Sequence, residues 1–540
     1  MPIRFRFRVA AGLVLALAIS ELCAVPARAA SEQQSLEELR NTVVNLLQAL
    51  VDQGVMTKDK ADALVKQAQQ KAAADTAATA KPEEGAVRVT YVPEIVKDEI
   101  RAEVAKDLKS QVADDVVARA KEEKWGVPGA LPDWLTGVRV GGEVKLRGEG
   151  VMFGKDNARG LYLNIQSINA NGGILKAGTD ALLNTSTDRY RGRVLARLGI
   201  DADLASGVTA GVRFATGTLP ASEWQTMGTT GNRYQSSIDL AYLRWDGKTR
   251  DEFPWITMQG GRTLNPYLAA TDFIFHRDLD FDGVSMSYRL PFADGKAPSH
   301  AFLTLGAHPI QEAALSYRDK WLLAGQLGGV FNIGETQRLR LALAYYDFHN
   351  VQGVRNALNS NLTDFTAPQF VQVGNTMFDI RNDLDPSTNL FAIAGKYRLV
   401  DAIVTYDVPL ASDMRLTFLG DYVKNRGWTS ADVLAVSGLS VAARTTGYQA
   451  ELGVGRGSAE QRGGWRAYLT YRYLQRDAVL DAFTDQDFHG GGTDAKGFIV
   501  GADFNLVSRV WLRARYLTAD QIDGAPLAVD VIQVDLNSRF

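Results

Sequence analysis

Basic side chains recur at alternate positions in stretch after stretch of this 540-residue chain. Arg139, Lys145 and Arg147 stand in one such run, Arg191, Arg193 and Arg197 in the next, and Arg213 in a third. Arg338, Arg340, Lys396, Arg398, Arg415, Arg466, Arg472, Arg513 and Arg515 continue the series. Guanidinium groups presented together fork hydrogen bonds to carboxylates or phosphates, and a row of them on a wet surface concentrates anions. That chemistry is binding and steering rather than bond-breaking. No catalytic or metal constellation accompanies it. His276, His300, His308, His349 and His489 are scattered, none in a pair with zinc-ligand spacing, and Cys23 is the single cysteine. There is no Gly-x-Ser-x-Gly elbow and no Walker-type phosphate loop. The acidic stretch Asp278–Asp282 lacks the ligand number and spacing of a calcium loop. The expectation is a protein that is not an enzyme and needs neither cofactor nor metal. Lys plus Arg number 59 against 62 for Asp plus Glu, so no basic field marks a nucleic-acid binder.

For alternate residues to share a face, the chain must run in strands. In the first run Val138, Val140, Val144 and Leu146 alternate with Arg139, Glu143, Lys145 and Arg147. Sixteen runs of this texture are expected, near 137–152, 189–203, 207–216, 236–246, 255–263, 281–290, 300–308, 321–331, 337–347, 390–406, 413–424, 445–456, 463–476, 496–506, 508–518 and 529–540. Long connections (153–188, 217–235, 264–280, 348–389, 425–444, 477–495) alternate with short ones such as Leu204-Ala205-Ser206 and Leu506-Val507. A soluble β-sandwich shares the period of two. The alternation of connection lengths selects an up-and-down barrel with strands that cross a membrane. Each strand with its connection has about 25 residues, against the roughly 9–11 that a tilted membrane strand needs.

Apolar residues then face lipid and their alternating partners face the lumen, because arginine at the midplane of a lipid face costs about 2–4 kcal/mol. All the basic residues named above are expected to line the lumen. Some would pair with Glu143, Glu149, Asp421 or Asp503 on neighbouring strands. The runs at 236–246, 255–263 and 300–308 give no clean parity. Tyr190, Tyr288, Tyr345, Tyr346, Tyr422, Tyr471, Tyr473 and Tyr516 are candidates for an interfacial aromatic girdle. In the last run Ile532, Val534, Leu536 and Phe540 share one face, and the terminal Phe540 resembles the assembly signal of bacterial outer-membrane proteins.

Ahead of the strands, Arg4, Arg6 and Arg8, the apolar stretch Val9–Ile19 and Ala27-Arg28-Ala29 read as a cleavable secretory signal over residues 1–29. A helical segment follows over 30–74, with Leu36, Leu39, Val43, Leu46 and Leu50 on a heptad seam. Residues 75–92 read as a linker. A second helical segment, 93–136, carries Val96, Ile100, Val104, Leu108, Val112 and Val116 at four-residue steps. A stripe so narrow needs a partner surface, either other copies in a trimer or the protein itself.

These features together resemble a Gram-negative porin. They are most similar to the "putative porin" family, whose members place a helical segment before a sixteen-strand barrel. The resemblance rests on the signal, the heptad segment with Gly54-Val55-Met56-Thr57, the strand ladder and Phe540. It rests also on Gly260-Gly261-Arg262, Asn265-Pro266 and Asp278-Leu279-Asp280-Phe281-Asp282-Gly283. It implies an all-β transmembrane fold, a sixteen-stranded antiparallel barrel preceded by an α-helical, coiled-coil-like periplasmic segment. It further implies that the third long loop, 264–280, enters the lumen and sets Asp272, His276, Arg277, Asp278 and Asp280 against the wall arginines. The implied function is passive diffusion of small hydrophilic, preferentially anionic, solutes. The implied partners are outer-membrane lipid, lipopolysaccharide and two further copies in a homotrimer. The alternative is a structural anchor whose helical head contacts the cell wall.

Overall fold

The computed structural model describes Lys66 and residues 137–540 other than 218–221, 296, 315, 384, 386, 412 and 458–460. The signal and nearly all of the two helical segments lie outside the described residues.

Sixteen strands form the barrel: β1 Val138–Phe153, β2 Arg189–Ala205, β3 Val208–Thr216, β4 Ser236–Lys248, β5 Pro254–Thr263, β6 Phe281–Pro291, β7 His300–Gln311 and β8 Lys320–Ile333, then β9 Gln337–His349, β10 Tyr397–Ala411, β11 Met414–Asn425, β12 Thr446–Arg456, β13 Trp465–Leu474, β14 Ala495–Val507, β15 Val510–Gln521 and β16 Ala528–Arg539. Each pairs antiparallel with its neighbours in chain order, and β1 closes the ring against β16 in the register Arg147↔Asp535. The seam is tied at its end by Gly142 N donating to Phe540 O at 3.0 Å and Phe540 N to Gly142 O at 2.9 Å. A Cβ at residue 142 would lie 2.6 Å from the Phe540 ring and from Arg197 O, so only glycine lets the terminal ring dock there.

The two faces of the wall are inverted relative to a soluble protein. Val140, Val284 and Leu327 are about 60% exposed on the outside, whereas Arg147, Glu149, Gln326, Gln533 and Asp535 are buried inside. That observation excludes the sandwich and accounts for the alternation in the sequence. Leu343, midway along β9, is 56% exposed on the outer face. Leu343→Arg should therefore lower the unfolding free energy in lipid vesicles by about 2–4 kcal/mol, measured by urea titration.

Four expectations need correction. The tenth strand begins at Tyr397, not near 390, because Phe391–Ile393 pairs instead with Met377–Asp379 in a separate two-stranded sheet within a loop. Lys396 precedes β10, and Arg398 falls on its outer face with Ala402 and Val404, while Asp401, Ile403 and Thr405 face in. Arg398 sits at the strand's loop end, where Asp347 lies 3.4 Å from it and the charge is cheap beside water. Tyr346 is not in the girdle: it is 2% exposed and faces the lumen. Tyr345, Tyr422 and Tyr516 do lie outside. Bulges explain the runs without parity. The register slips between Arg213 and Phe214 against β4, and between Gly247 and Lys248 against β5. In β7 the inward Phe302 is apolar because Leu268 and Ala270 of an inserted loop pack on it.

Candidate functional site: two loops inside the barrel

Two loops turn into the lumen: L3 (264–280), between β5 and β6, and L7 (475–494), between β13 and β14. L3 carries an apolar centre, Phe273-Ile274-Phe275, which is buried against Leu322 and Ala324 of β8, Ala344 and Tyr346 of β9 and Leu399 of β10. Alanines on that wall leave room for the loop's rings. Phe275 and Tyr267 meet Tyr346 edge-on, with centroids 5.1 and 5.5 Å apart. Gln326 fixes the loop backbone by accepting from Leu268 N at 2.6 Å and donating to Leu268 O at 2.9 Å. Thr271 donates to Asp421 at 2.8 Å.

Across the lumen L3 meets the charged wall. Arg197 of β2 donates to Asp278 at 2.8 Å, to Glu143 at 2.7 Å, and also to Glu223 of the second loop. Arg213 of β3 donates to Asp239 of β4 at 2.8 Å and reaches Asp280 at 3.4 Å. Arg277 instead closes on Asp272 within the loop, at 2.6 Å. Burial opposes charge on Asp278, but Arg197 outweighs it and holds that carboxyl below the usual range. At Asp280 burial prevails over Arg213, and with Asp239 and Glu223 adding repulsion the carboxyl is pushed up to about 7.

L7 zips onto L3. His276 N donates to Phe483 O at 2.6 Å, Asp485 N to Asp272 O at 3.1 Å, and Thr484 Oγ1 to Phe273 O at 2.7 Å. Its own carboxylates then take wall arginines: Asp485 from Arg472 of β13 at 2.8 Å, and Asp487 from Arg515 of β15 at 2.6 Å and Arg147 of β1 at 3.2 Å. Arg147 is already forked onto Asp535, at 2.7 and 2.9 Å, and lies 4.2 Å from the Trp224 ring. The result is an antiparallel sixteen-strand wall with loop acids set against inward arginines. The family model described as "Putative porin" matches residues 40–540.

The chain belongs to that porin family.

Among solved structures, similarity is found at low identity. DcaP, an outer membrane channel of Acinetobacter baumannii, is 10% identical with a TM-score of 0.38, covering 75% of this chain and 98% of its own. OprB of Pseudomonas putida is 11% identical with a TM-score of 0.43, covering 77% and 97%. An anion-selective porin from Comamonas acidovorans is 11% identical with a TM-score of 0.38, covering 75% and 99%. No curated protein matches the chain in sequence.

The remaining wall cations of this porin sort by their partners. Arg191 and Arg193 both pair with Glu149, at 2.5 and 3.3 Å, and Lys145 with Glu143 at 2.9 Å. Arg340 pairs with Asp407 at 2.9 Å, Arg513 with Asp503 at 2.6 Å, Arg466 with Glu451 and Arg139 with Asp203. Of the four acids named as wall partners, Asp421 takes no arginine; it faces Asp401 and Thr271. Among the described residues Arg338 and Arg415 of the inner face pair with no carboxylate, and Arg415 donates only to Thr336 O. The sequence did not point to Glu223, Asp239, Asp485 or Asp487 as site residues. A signal was present in L7, where Val479, Leu480, Phe483 and Phe488 are too apolar for a solvated loop.

Burial raises three further L7 carboxyls: Asp477 to about 6, and Asp481 and Asp494 to about 7, against an ordinary 3.8. Between pH 4 and 7, in rough terms, the folded protein therefore binds more protons than the unfolded chain, and stability falls as pH rises. The melting temperature in detergent should be higher at pH 5 than at pH 8. Asp481→Asn should flatten that slope, and an unchanged slope would count against the burial argument.

Proposed function

We propose that this porin is a passive channel of the outer membrane for small hydrophilic solutes, with its constriction set by L3 and L7 and a preference for anions. The observation that carries the reading is the seating of loop carboxylates on inward arginines from opposite parts of the wall. Such a lumen sorts solutes by size and field and needs no energy source. The preference for anions rests on the inner arginines that lack a carboxylate partner, Arg338 and Arg415. Arg289 joins them, donating to Pro254 O at 3.1 Å and Thr257 at 3.0 Å. All three lie toward the short-turn end of β9, β11 and β6. Single-channel recording in a planar bilayer under a KCl gradient tests this. Stepwise conductance with an anion-selective reversal potential is expected, and steps in threes would accompany a trimer. Cation selectivity would remove the charge argument but keep the pore. Silence from a correctly folded barrel would favour the anchor.

A further inference from the structure

Glu223, Asp239 and Asp280 come from three separate parts of the chain: the second long loop, β4 and L3. Each offers a carboxylate oxygen, and those oxygens lie within 4.8 Å of one another. All three side chains line a cavity of about 500 Å³ at the loop end of the lumen, bounded on its other sides by Phe275, Leu322 and Phe348. We propose that these three carboxylates bind a divalent cation, with Ca²⁺ as the fitting occupant.

Proximity of acids alone would not support this; the state of the buried oxygens does. Asp239 is 6% exposed, and although its Oδ2 takes Arg213, its Oδ1 is buried with no hydrogen-bond partner among the described residues. Asp280 is 8% exposed, and among the described residues its only donor is Arg213 at the long distance of 3.4 Å to either oxygen. Buried carboxylate oxygens are normally satisfied, because leaving one without a partner costs its full desolvation. Here two neighbouring acids are left short.

The local charge points to the valence of the ligand. Once all are ionised, Glu143, Glu223, Asp239, Asp278 and Asp280 face Arg197, Arg213 and Lys145, which leaves two negative charges without a counter-charge. Nearby Arg262 pairs with Asp282 at 3.0 Å, and counting both leaves the excess at two. Arg197 takes Oε2 of Glu223 and Arg213 takes Oδ2 of Asp239, so the cation would take the other oxygen of each and displace the long Arg213 contact from Asp280. Ca²⁺ accepts irregular sets of six to eight oxygens that mix carboxylates and water, whereas Mg²⁺ demands a near-ideal octahedron. A cluster fed from two loops and a strand, open to a wet cavity, suits the first.

The cation would bridge the second loop and L3 to the wall. If the protein conducts as proposed above, it would also cancel the local negative charge and favour anions. The first test is calorimetric titration of CaCl₂ into the refolded full chain, free of lipopolysaccharide, in metal-stripped detergent buffer. One saturable site per chain is expected, weakened at least tenfold in both Asp280→Asn and Glu223→Gln. No saturable binding by the native sequence, or equal binding by both variants, would overturn the proposal. Added CaCl₂ should also move the reversal potential of the native channel toward anions and leave that of Asp280→Asn in place. A barrel that binds Ca²⁺ but passes no current would refute the channel reading and leave the cation site standing.

Discussion

Replacing Arg197 with alanine should release L3 from the charged wall and raise the single-channel conductance. Among the described residues Arg197 is the one cation that touches β1, the second loop and L3 together, through Glu143, Glu223 and Asp278, and its side chain is 9% exposed. Removing one partner of a buried ion pair leaves the other charged and unpaired, at about 3–5 kcal/mol; Glu143 keeps Lys145, whereas Glu223 and Asp278 lose their cation. The lumen is partly wet, so the lower end of that range is the expectation. The barrel ladder does not depend on this residue's side chain, so the loss should appear as loop release rather than global unfolding. Arg277 lies in L3 and supplies a readout, since trypsin should cut after it faster in Arg197→Ala than in the native protein. Arg139→Ala serves as the control. Its pair with Asp203 is exposed at 59% and 48% and screened by solvent, so its loss should leave both cleavage and conductance unchanged. Native conductance and native cleavage in Arg197→Ala would mean that the apolar side of L3 holds it unaided.

Asp487→Ala should shift selectivity more than it shifts stability. Burial works against charge on Asp487, yet Arg147 and Arg515 hold it ionised far below the ordinary carboxylate range. Its removal leaves Arg147 forked onto Asp535 and Arg515 hydrogen-bonded to Gln533, so neither guanidinium is abandoned. The lost contacts are charge-assisted, which sets the cost at about 2–3 kcal/mol of L7 docking. One negative charge leaves the lumen beside two arginines, and L7 loses its tie to β1 and β15. The reversal potential in a KCl gradient should move toward that of chloride, and Asp487→Asn should move it the same way. Movement toward potassium would show that these arginines do not face the ion path.

The period of two, together with long and short connections in alternation, was enough to read sixteen strands, their faces and the closing strand with Phe540. A membrane barrel exposes one face to lipid and the other to water along every strand, so its burial pattern is written locally, residue by residue. Parity placed Arg147, Arg197, Arg213, Arg472 and Arg515 in the lumen before any contact was known. It failed where a strand's limits were misjudged, at Lys396 and Arg398, and where bulges reset it in β4 and β5. Tyr346 shows the same limit: an inward aromatic on a strand looks like a girdle residue until a loop is known to pack on it.

What the sequence did not determine is which charges meet. The contacts of Arg147 with Asp487 and of Arg197 with Asp278 join residues far apart in the chain, and they exist only because L3 and L7 fold inward and zip together. Loop insertion depends on apolar surfaces, Phe273 to Phe275 and Val479 to Phe483, finding a wall thinned by Ala324 and Ala344 on other strands. Strand periodicity is local and survives in one dimension. Ion pairing across a lumen depends on the ring being closed, so the row of free cations in the sequence became, in three dimensions, a lumen of mostly compensated pairs.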